Sequence, residues 1–231
     1  IAARKDKKII EKQDFLDAVD RIIGGLEKKN KIITPKEKRT IAYHEAGHAS
    51  VSWLLEHANP LVKVTIVPRG QALGAAWYLP EERQITTKAQ LLDQMISLLG
   101  GRAAEEIVFG EVSTGALNDL ERVTKQAYAM VVYYGLDKEI GNISFYDSSG
   151  QSEYGFQKPF SDKTAEKIDA QIRSMVEEAY NKAKAILTEN REKLDALATI
   201  LVEREVIFRE DVENIYGKRP WDEEKTDEQQ A

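Results

Sequence analysis

Residues 34–57 read TPKEKRTIAYHEAGHASVSWLLEH. The stretch opens with a full set of helix-start signals. Thr34 is the side-chain cap, Pro35 takes the first helical position, and Glu37 completes a capping box. The helix is expected to run to about His57, where Asn59-Pro60 ends it. Inside it lie His44, Glu45 and His48. At 3.6 residues per turn, positions i and i+4 share one face, so the two imidazoles converge. Glu45 stands about 60° round the helical wheel from His48.

That arrangement suits one metal ion. His-Glu-x-x-His on a helix is the signature of zinc peptidases, with both histidines as ligands and the glutamate as general base. A catalytic zinc keeps three protein ligands and one open position. The extended form of the motif needs a third His six residues after His48, and Leu54 occupies that place. His57 falls on the opposite face and reads as a helix-end residue favoured by the dipole. The third ligand must then be a carboxylate. Spacing leaves Glu81, Glu82, Asp93, Glu105, Glu106 and Asp119 open. Asp119 is the most attractive, because it opens a helix just after the small-residue loop Ser113-Thr114-Gly115-Ala116. Acids also favour helix starts for the dipole alone, so Glu105 and Glu106 stay in contention. Gly47 costs the helix about 1 kcal/mol relative to Ala. A close approach by substrate, a strand or another helix would account for it.

Working outward, Val62–Val67 is β-branched and reads as a strand closed by Pro68-Arg69-Gly70, with Leu73–Leu79 a second strand paired to it. Thr87-Lys88-Ala89-Gln90 is another capping box. It opens a helix that Gly100-Gly101 is expected to interrupt before it resumes to Phe109. A helix from Leu117 to Tyr134 follows, capped by Gly135. Ile143–Tyr146 reads as a short strand and Asp147–Pro159 as a Ser- and Gly-rich loop. Thr164–Leu187 and Glu192–Glu203 read as an antiparallel helix pair, and Asp211–Tyr216 as a brief last helix. The fold expected is mainly α with a small β-sheet. Upstream, Phe15, Leu16, Val19, Ile22 and Ile23 recur at helical spacing, with Asp14 as a cap and Gly24-Gly25 as a stop. One amphipathic helix cannot bury its own face, so it belongs to a neighbouring unit or packs on this one. Glu27–Ile33 is a Lys-rich connector. Asp222–Glu228, with five acids and one Lys, is expected to be a disordered tail.

Composition narrows the classes. The 231 residues are 42% hydrophobic, enough for a core without staples. The absence of Cys excludes disulfides, thiolate zinc sites and thiol nucleophiles. A net charge of -6 argues against nucleic acid as a partner. The longest charge-free stretches, 70–80 and 126–136, are 11 residues each, short of the roughly 18 a membrane span requires. Ile1 is not an initiator Met and no signal peptide opens the chain, so an excised fragment is expected.

Three motifs in order, Tyr43-His44-Glu45-Ala46-Gly47-His48, Gly100-Gly101-Arg102-Ala103-Ala104-Glu105-Glu106 with Phe109-Gly110, and Thr114-Gly115-Ala116-Leu117-Asn118-Asp119-Leu120, resemble the FtsH family of membrane-anchored AAA+ zinc proteases. The resemblance extends from the opening helix to Arg219-Pro220. It implies a helical zinc-peptidase domain over residues 34–217, preceded at 1–33 by the end of an AAA+ lid and followed by the acidic tail 218–231. It implies that His44, His48 and Asp119 bind zinc and that Glu45 is the general base. It further implies protein substrates, a homo-hexameric ring and ATP-dependence. No Gly-x-x-x-x-Gly-Lys-Ser/Thr loop is present, so ATP, magnesium and the membrane anchor are expected of the parent's missing N-terminal part. The implied parent sits in the bacterial inner membrane with this domain in the cytoplasm. Leu55–Gly70 also looks like the mitochondrial members, whose domain faces the matrix. The expected reaction is peptide-bond hydrolysis by a water activated at the zinc, with substrate added as a strand along Leu73–Leu79, where Gly74, Ala75 and Ala76 leave room. Three rivals are weaker, one of them a non-catalytic helical interaction module, since the paired C-terminal helices that favour it are as easily explained as the outer wall of a peptidase. A catalytically silent zinc-binding ring scaffold would lack Glu45 or a ligand, and an aminopeptidase would carry an extra acidic anchor for the substrate amine.

Overall fold

The computed structural model describes residues 33–68, 73–79, 84–146 and 159–219, with 3, 7–11, 14–15, 18, 21 and 221 besides. The expected opening helix, the Lys-rich connector, the Ser- and Gly-rich loop and the acidic tail fall almost wholly outside these residues.

Helix α1 (Pro35–Leu54) organises the fold. Its capping box is formed as the sequence requires: the Glu37 amide donates to Thr34 Oγ1 at 3.2 Å and the Thr34 amide to Glu37 Oε2 at 2.9 Å. Every residue from Ile41 to Trp53 is buried, so α1 is a core helix. Helix α2 (Lys88–Phe109), opened by the Thr87–Gln90 capping box, packs along one side. A three-stranded antiparallel sheet covers another. It comprises β1 (Leu61–Thr65), β2 (Ala75–Tyr78) and β3 (Val206–Phe208) in the order β2-β1-β3. Leu61 pairs with Tyr78 and Thr65 with Ala75, while Val64 pairs with Ile207. A 3-10 turn (Thr114–Ala116) leads into α3 (Leu117–Tyr128), which continues as a π-helical segment, Ala129–Tyr133. Helix α4 (Asp162–Glu189) packs on α2, and α5 (Arg191–Arg204) packs on α1. The last helix, α6 (Arg209–Tyr216), brings the chain back to α1. The architecture is therefore mainly α with a small sheet.

Four expectations need correction. Gly100 and Gly101 do not interrupt α2; they are where it crosses α1. A Cβ on Gly47 would lie 2.4 Å from the Gly100 carbonyl oxygen, and one on Gly100 would lie 2.7 Å from that of Gly47. Close helix packing thus accounts for Gly47. Ile143–Tyr146 is not a strand. The Phe145 amide donates to the Val132 carbonyl, and Phe145 and Tyr146 instead meet Phe160 and Tyr133 edge-on. Helices α4 and α5 do not lie side by side as a pair: each packs on a different core helix. Finally, α1 stops at Leu54, short of His57. The freed carbonyls of Leu55, Glu56 and Ala58 accept from the buried Arg219 guanidinium at 2.8, 3.2 and 2.6 Å.

Candidate metal centre

The two imidazoles of α1 meet as helical spacing requires. His44 Nε2 and His48 Nε2 are 3.1 Å apart. Asp119, in the first turn of α3, places Oδ2 3.4 Å from His44 Nε2 and 3.6 Å from His48 Nε2. One donor atom from each of the three lies within 4.8 Å of the others. Both histidines are less than a tenth exposed.

The outer nitrogens explain which atoms face inward. His48 Nδ1 is 2.9 Å from the Ser97 carbonyl oxygen, which can only accept, so that nitrogen carries the proton. His44 Nδ1 donates to Glu105 Oε1 at 2.7 Å. Both Nε2 lone pairs are thereby turned toward Asp119. With both imidazoles neutral, two lone pairs and a carboxylate oxygen this close repel unless a cation, either a proton or a metal ion, lies between them. This donor set, two imidazoles and a carboxylate, is a catalytic zinc set with its outer partners in place. Gly101 completes the fit, since a Cβ there would lie 2.6 Å from each Nε2.

The electrostatics lead to the same conclusion. Burial lowers the pKa of His44, but the hydrogen bonds to Asp119 and Glu105 outweigh it and raise it to about 10. Burial raises Asp119 and Glu105, yet their bonds to the imidazoles hold both below the usual carboxylate range. Glu45 is pushed up by burial and has no hydrogen bond or ion pair among the described residues. Three carboxylates thus surround two imidazoles, a charge balance that a divalent cation satisfies.

The other candidate ligands are elsewhere. Asp93 Oδ2 accepts the His57 amide at 3.2 Å, at the end of α1. Glu106 faces α4, where it meets the Tyr180 hydroxyl and Lys184. Glu81 and Glu82 lie outside the described residues. Glu105 is not placed as a ligand: it joins His44 to the loop that carries Asp119. Its carboxylate accepts the Ser113 amide at 2.6 Å and the Ser113 hydroxyl at 3.0 Å. Ser113 Oγ in turn accepts the Gly115 amide at 3.1 Å. The sequence held a signal for this role. Glu105 follows Gly101 by four residues and so shares its face of α2.

These groups form the floor of a cleft of about 1780 Å³, well beyond the roughly 300–1,000 Å³ of a small-molecule site. Residues of β2 and of α3 line it together. Strand β2 is the sheet edge, bonded to β1 on one side. At its entrance a Cβ on Gly74 would lie 2.6 Å from Glu45 Oε1. The strand therefore passes directly against Glu45, the acid of the site without a partner among the described residues.

Fold and donor set are of the metallopeptidase class. The family model described as Peptidase family M41 matches residues 31–215, and the chain belongs to that family. It is 64% identical over 221 residues to the ATP-dependent zinc metalloprotease FtsH of Parabacteroides distasonis, covering 96% of this chain and 32% of that protein. It is 47% identical over 229 residues to the mouse mitochondrial inner membrane m-AAA protease component AFG3L2, covering 99% of this chain and 28% of that one. A mitochondrial FTSH 8 zinc metalloprotease of Oryza sativa subsp. japonica is 50% identical over 224 residues, 96% of this chain and 27% of its own. The chain spans about a third of the length of the curated relatives it matches. No helix among the described residues is long and apolar enough to cross a membrane.

Proposed function

We propose that this chain is the zinc endopeptidase portion of an ATP-dependent, membrane-anchored protease. The observation that carries the reading is the convergence of His44, His48 and Asp119 beside Glu45, a buried acid without a partner among the described residues. Zinc held by the first three would supply a Lewis acid that polarises the scissile carbonyl and acidifies a water. Glu45 takes a proton from the attacking water and returns it to the leaving amine. Its raised pKa suits both transfers. Glu105 and the Ser97 carbonyl hold the imidazoles in the tautomer that presents Nε2.

Substrate lies as an extended strand against the open edge of β2, with its backbone read rather than its side chains. Such binding accepts many sequences, as a protease fed by an unfolding ring requires. Residues 34–217 are the peptidase unit in this reading. Residues 1–33 are the end of the ATPase lid and 218–231 an acidic tail. The whole protein is a homo-hexamer acting on soluble and membrane proteins. Its membrane is the bacterial inner membrane, this domain facing the cytoplasm, or the mitochondrial inner membrane, this domain facing the matrix.

The test is metal content by plasma mass spectrometry alongside cleavage of an unfolded polypeptide. About one zinc per chain is expected, lost in Asp119→Ala and kept in Glu45→Gln, with cleavage absent from both variants. Full zinc retention in Asp119→Ala would move the third ligand to another acid. A zinc-loaded chain with Glu45 intact that cuts nothing would return the scaffold reading.

A further inference from the structure

Among the described residues, the cleft is lined by one cation with no hydrogen bond, ion pair or ring partner. Among the charged side chains that line it, Lys36 reaches Glu111 at 3.9 Å and Arg39 lies over the rings of Tyr43 and Phe109. Glu121 pairs with Lys125 at 2.5 Å. Arg122 is exposed and, among the described residues, has no hydrogen bond, ion pair or ring partner.

Its position is not arbitrary. Arg122 follows Asp119 by three residues on α3, so both side chains leave the same face one turn apart. It lines the same cleft as Tyr78 of β2, whose hydroxyl feels its charge, so Arg122 lies within electrostatic reach of the strand. Among the described residues, no hydrogen bond or ion pair joins its guanidinium to a carboxylate of the site. Instead Glu105 and Asp119 bond the imidazoles and Ser113, and Glu45 stands alone. Arg122 has five donors in a rigid fork, and the cleft around it is sized for an extended peptide.

We propose that Arg122 is a substrate-positioning residue, donating to a main-chain carbonyl oxygen of a peptide laid between β2 and α3. The inference rests on the peptidase reading above and adds to it the group that fixes the peptide's register over the zinc site. An extended peptide on the β2 edge satisfies half of its backbone groups on the strand. The carbonyls facing away need donors, and Arg122 supplies them from the other side. A charge-assisted bond of this kind is strong enough to fix which peptide bond comes to rest beside Glu45.

Binding, rather than turnover, separates this inference from the peptidase reading. The zinc-loaded Glu45→Gln chain is titrated with a fluorescent, uncharged peptide whose C-terminus is amidated, and anisotropy gives Kd. Arg122→Gln is expected to weaken binding about tenfold or more, and Arg122→Lys to recover part of the loss. Zinc content and melting temperature are expected to be unchanged in both. In the chain with Glu45 intact, Arg122→Gln is expected to raise KM far more than it lowers kcat, and to scatter cleavage over neighbouring bonds. An unchanged Kd in Arg122→Gln overturns the proposal. So does a loss confined to a peptide with a free C-terminal carboxylate, which would make Arg122 a carboxylate anchor. Failure of the peptidase reading looks different: the zinc-loaded chain with Glu45 binds the peptide and never cleaves it.

Discussion

Gly47→Ala is the substitution that most directly probes how the fold and the site depend on each other. On an isolated helix it would stabilise by about 1 kcal/mol. Here the new methyl would sit 2.4 Å from the Gly100 carbonyl oxygen and 2.6 Å from Ala104 Cβ. Comfortable contacts of this kind need about 3.5 Å, so α1 and α2 must part by about 1 Å. Both obstacles are fixed to the α2 backbone and cannot rotate away. Overpacking costs about 1–3 kcal/mol, and the propensity gain returns only part of it. The net loss, up to about 2 kcal/mol, would lower Tm by as much as about 4–8 °C in a domain of this size. The larger effect is on metal. His44 and His48 are both anchored on α2, through Glu105 and the Ser97 carbonyl. A 1 Å separation stretches both anchors at once. Zinc affinity is expected to fall about 10–100-fold, the range for losing outer-shell partners. Thermal melts followed by circular dichroism, with zinc titrated against a competing chelator, measure both quantities. A Gly47→Ala chain as stable as the parent, binding zinc equally well, would refute the argument that this crossing is set by backbone contact.

Glu45 and His44 supply two further predictions. Burial raises the pKa of Glu45, so its ionised form opposes folding at neutral pH. Glu45→Gln is therefore expected to abolish cleavage while raising the melting temperature of the metal-free chain by a few degrees; an unchanged or lower Tm would contradict the burial argument. In the same metal-free state the pKa of His44 is raised, so its stabilising charge is fully present below the ordinary value of 6.5 and is lost as pH rises through about 10. Urea midpoints of the metal-free chain should fall between pH 6.5 and pH 9.5, and His44→Gln should remove the fall. Zinc loading, which keeps both imidazoles neutral, should flatten the profile over that window.

How much of this was legible in the sequence varies with the range of the interaction. Thr34 with Glu37 and Thr87 with Gln90 are local pairs, and both capping boxes formed where the sequence placed them. The meeting of His44 and His48 is also local, one turn of one helix. Asp119 lies 71 residues after His48. Spacing alone left it among several acids; only the fold distinguishes it from Asp93 and Glu106, which face other partners. Gly100-Gly101 misled because glycine is read locally as a breaker. Its role here is to let a second backbone approach, and the information for that sits in Gly47. The end of α1 misled for a similar reason. Its carbonyls are satisfied by Arg219, more than 160 residues away, and nothing near His57 announces it. Strand β3 is three residues long, too short for a period to show.

The same long-range contacts explain why α1 carries the site. A surface helix could present His-Glu-x-x-His as well, but its side chains would move. Buried from Ile41 to Trp53, α1 is held by α2 at Gly47 and by the sheet and α5 on other sides. Its C-terminal half is clasped by the end of the chain. Tyr216 donates to Ser50 Oγ at 2.7 Å, and Trp53 Nε1 donates to the Gly217 carbonyl at 3.1 Å. Burial of His44, Glu45 and His48 is costly in itself, since each polar group loses water. Two of the three recover that cost through Glu105, Ser97 and Asp119. Glu45 recovers none of it among the described residues. A helix this firmly packed can hold one unsatisfied acid without unfolding, and that acid is the one whose chemistry requires a free lone pair. The stability lost at Glu45 and the catalytic role proposed for it therefore have a single origin: a carboxylate buried beside the candidate metal site with no partner among the described residues.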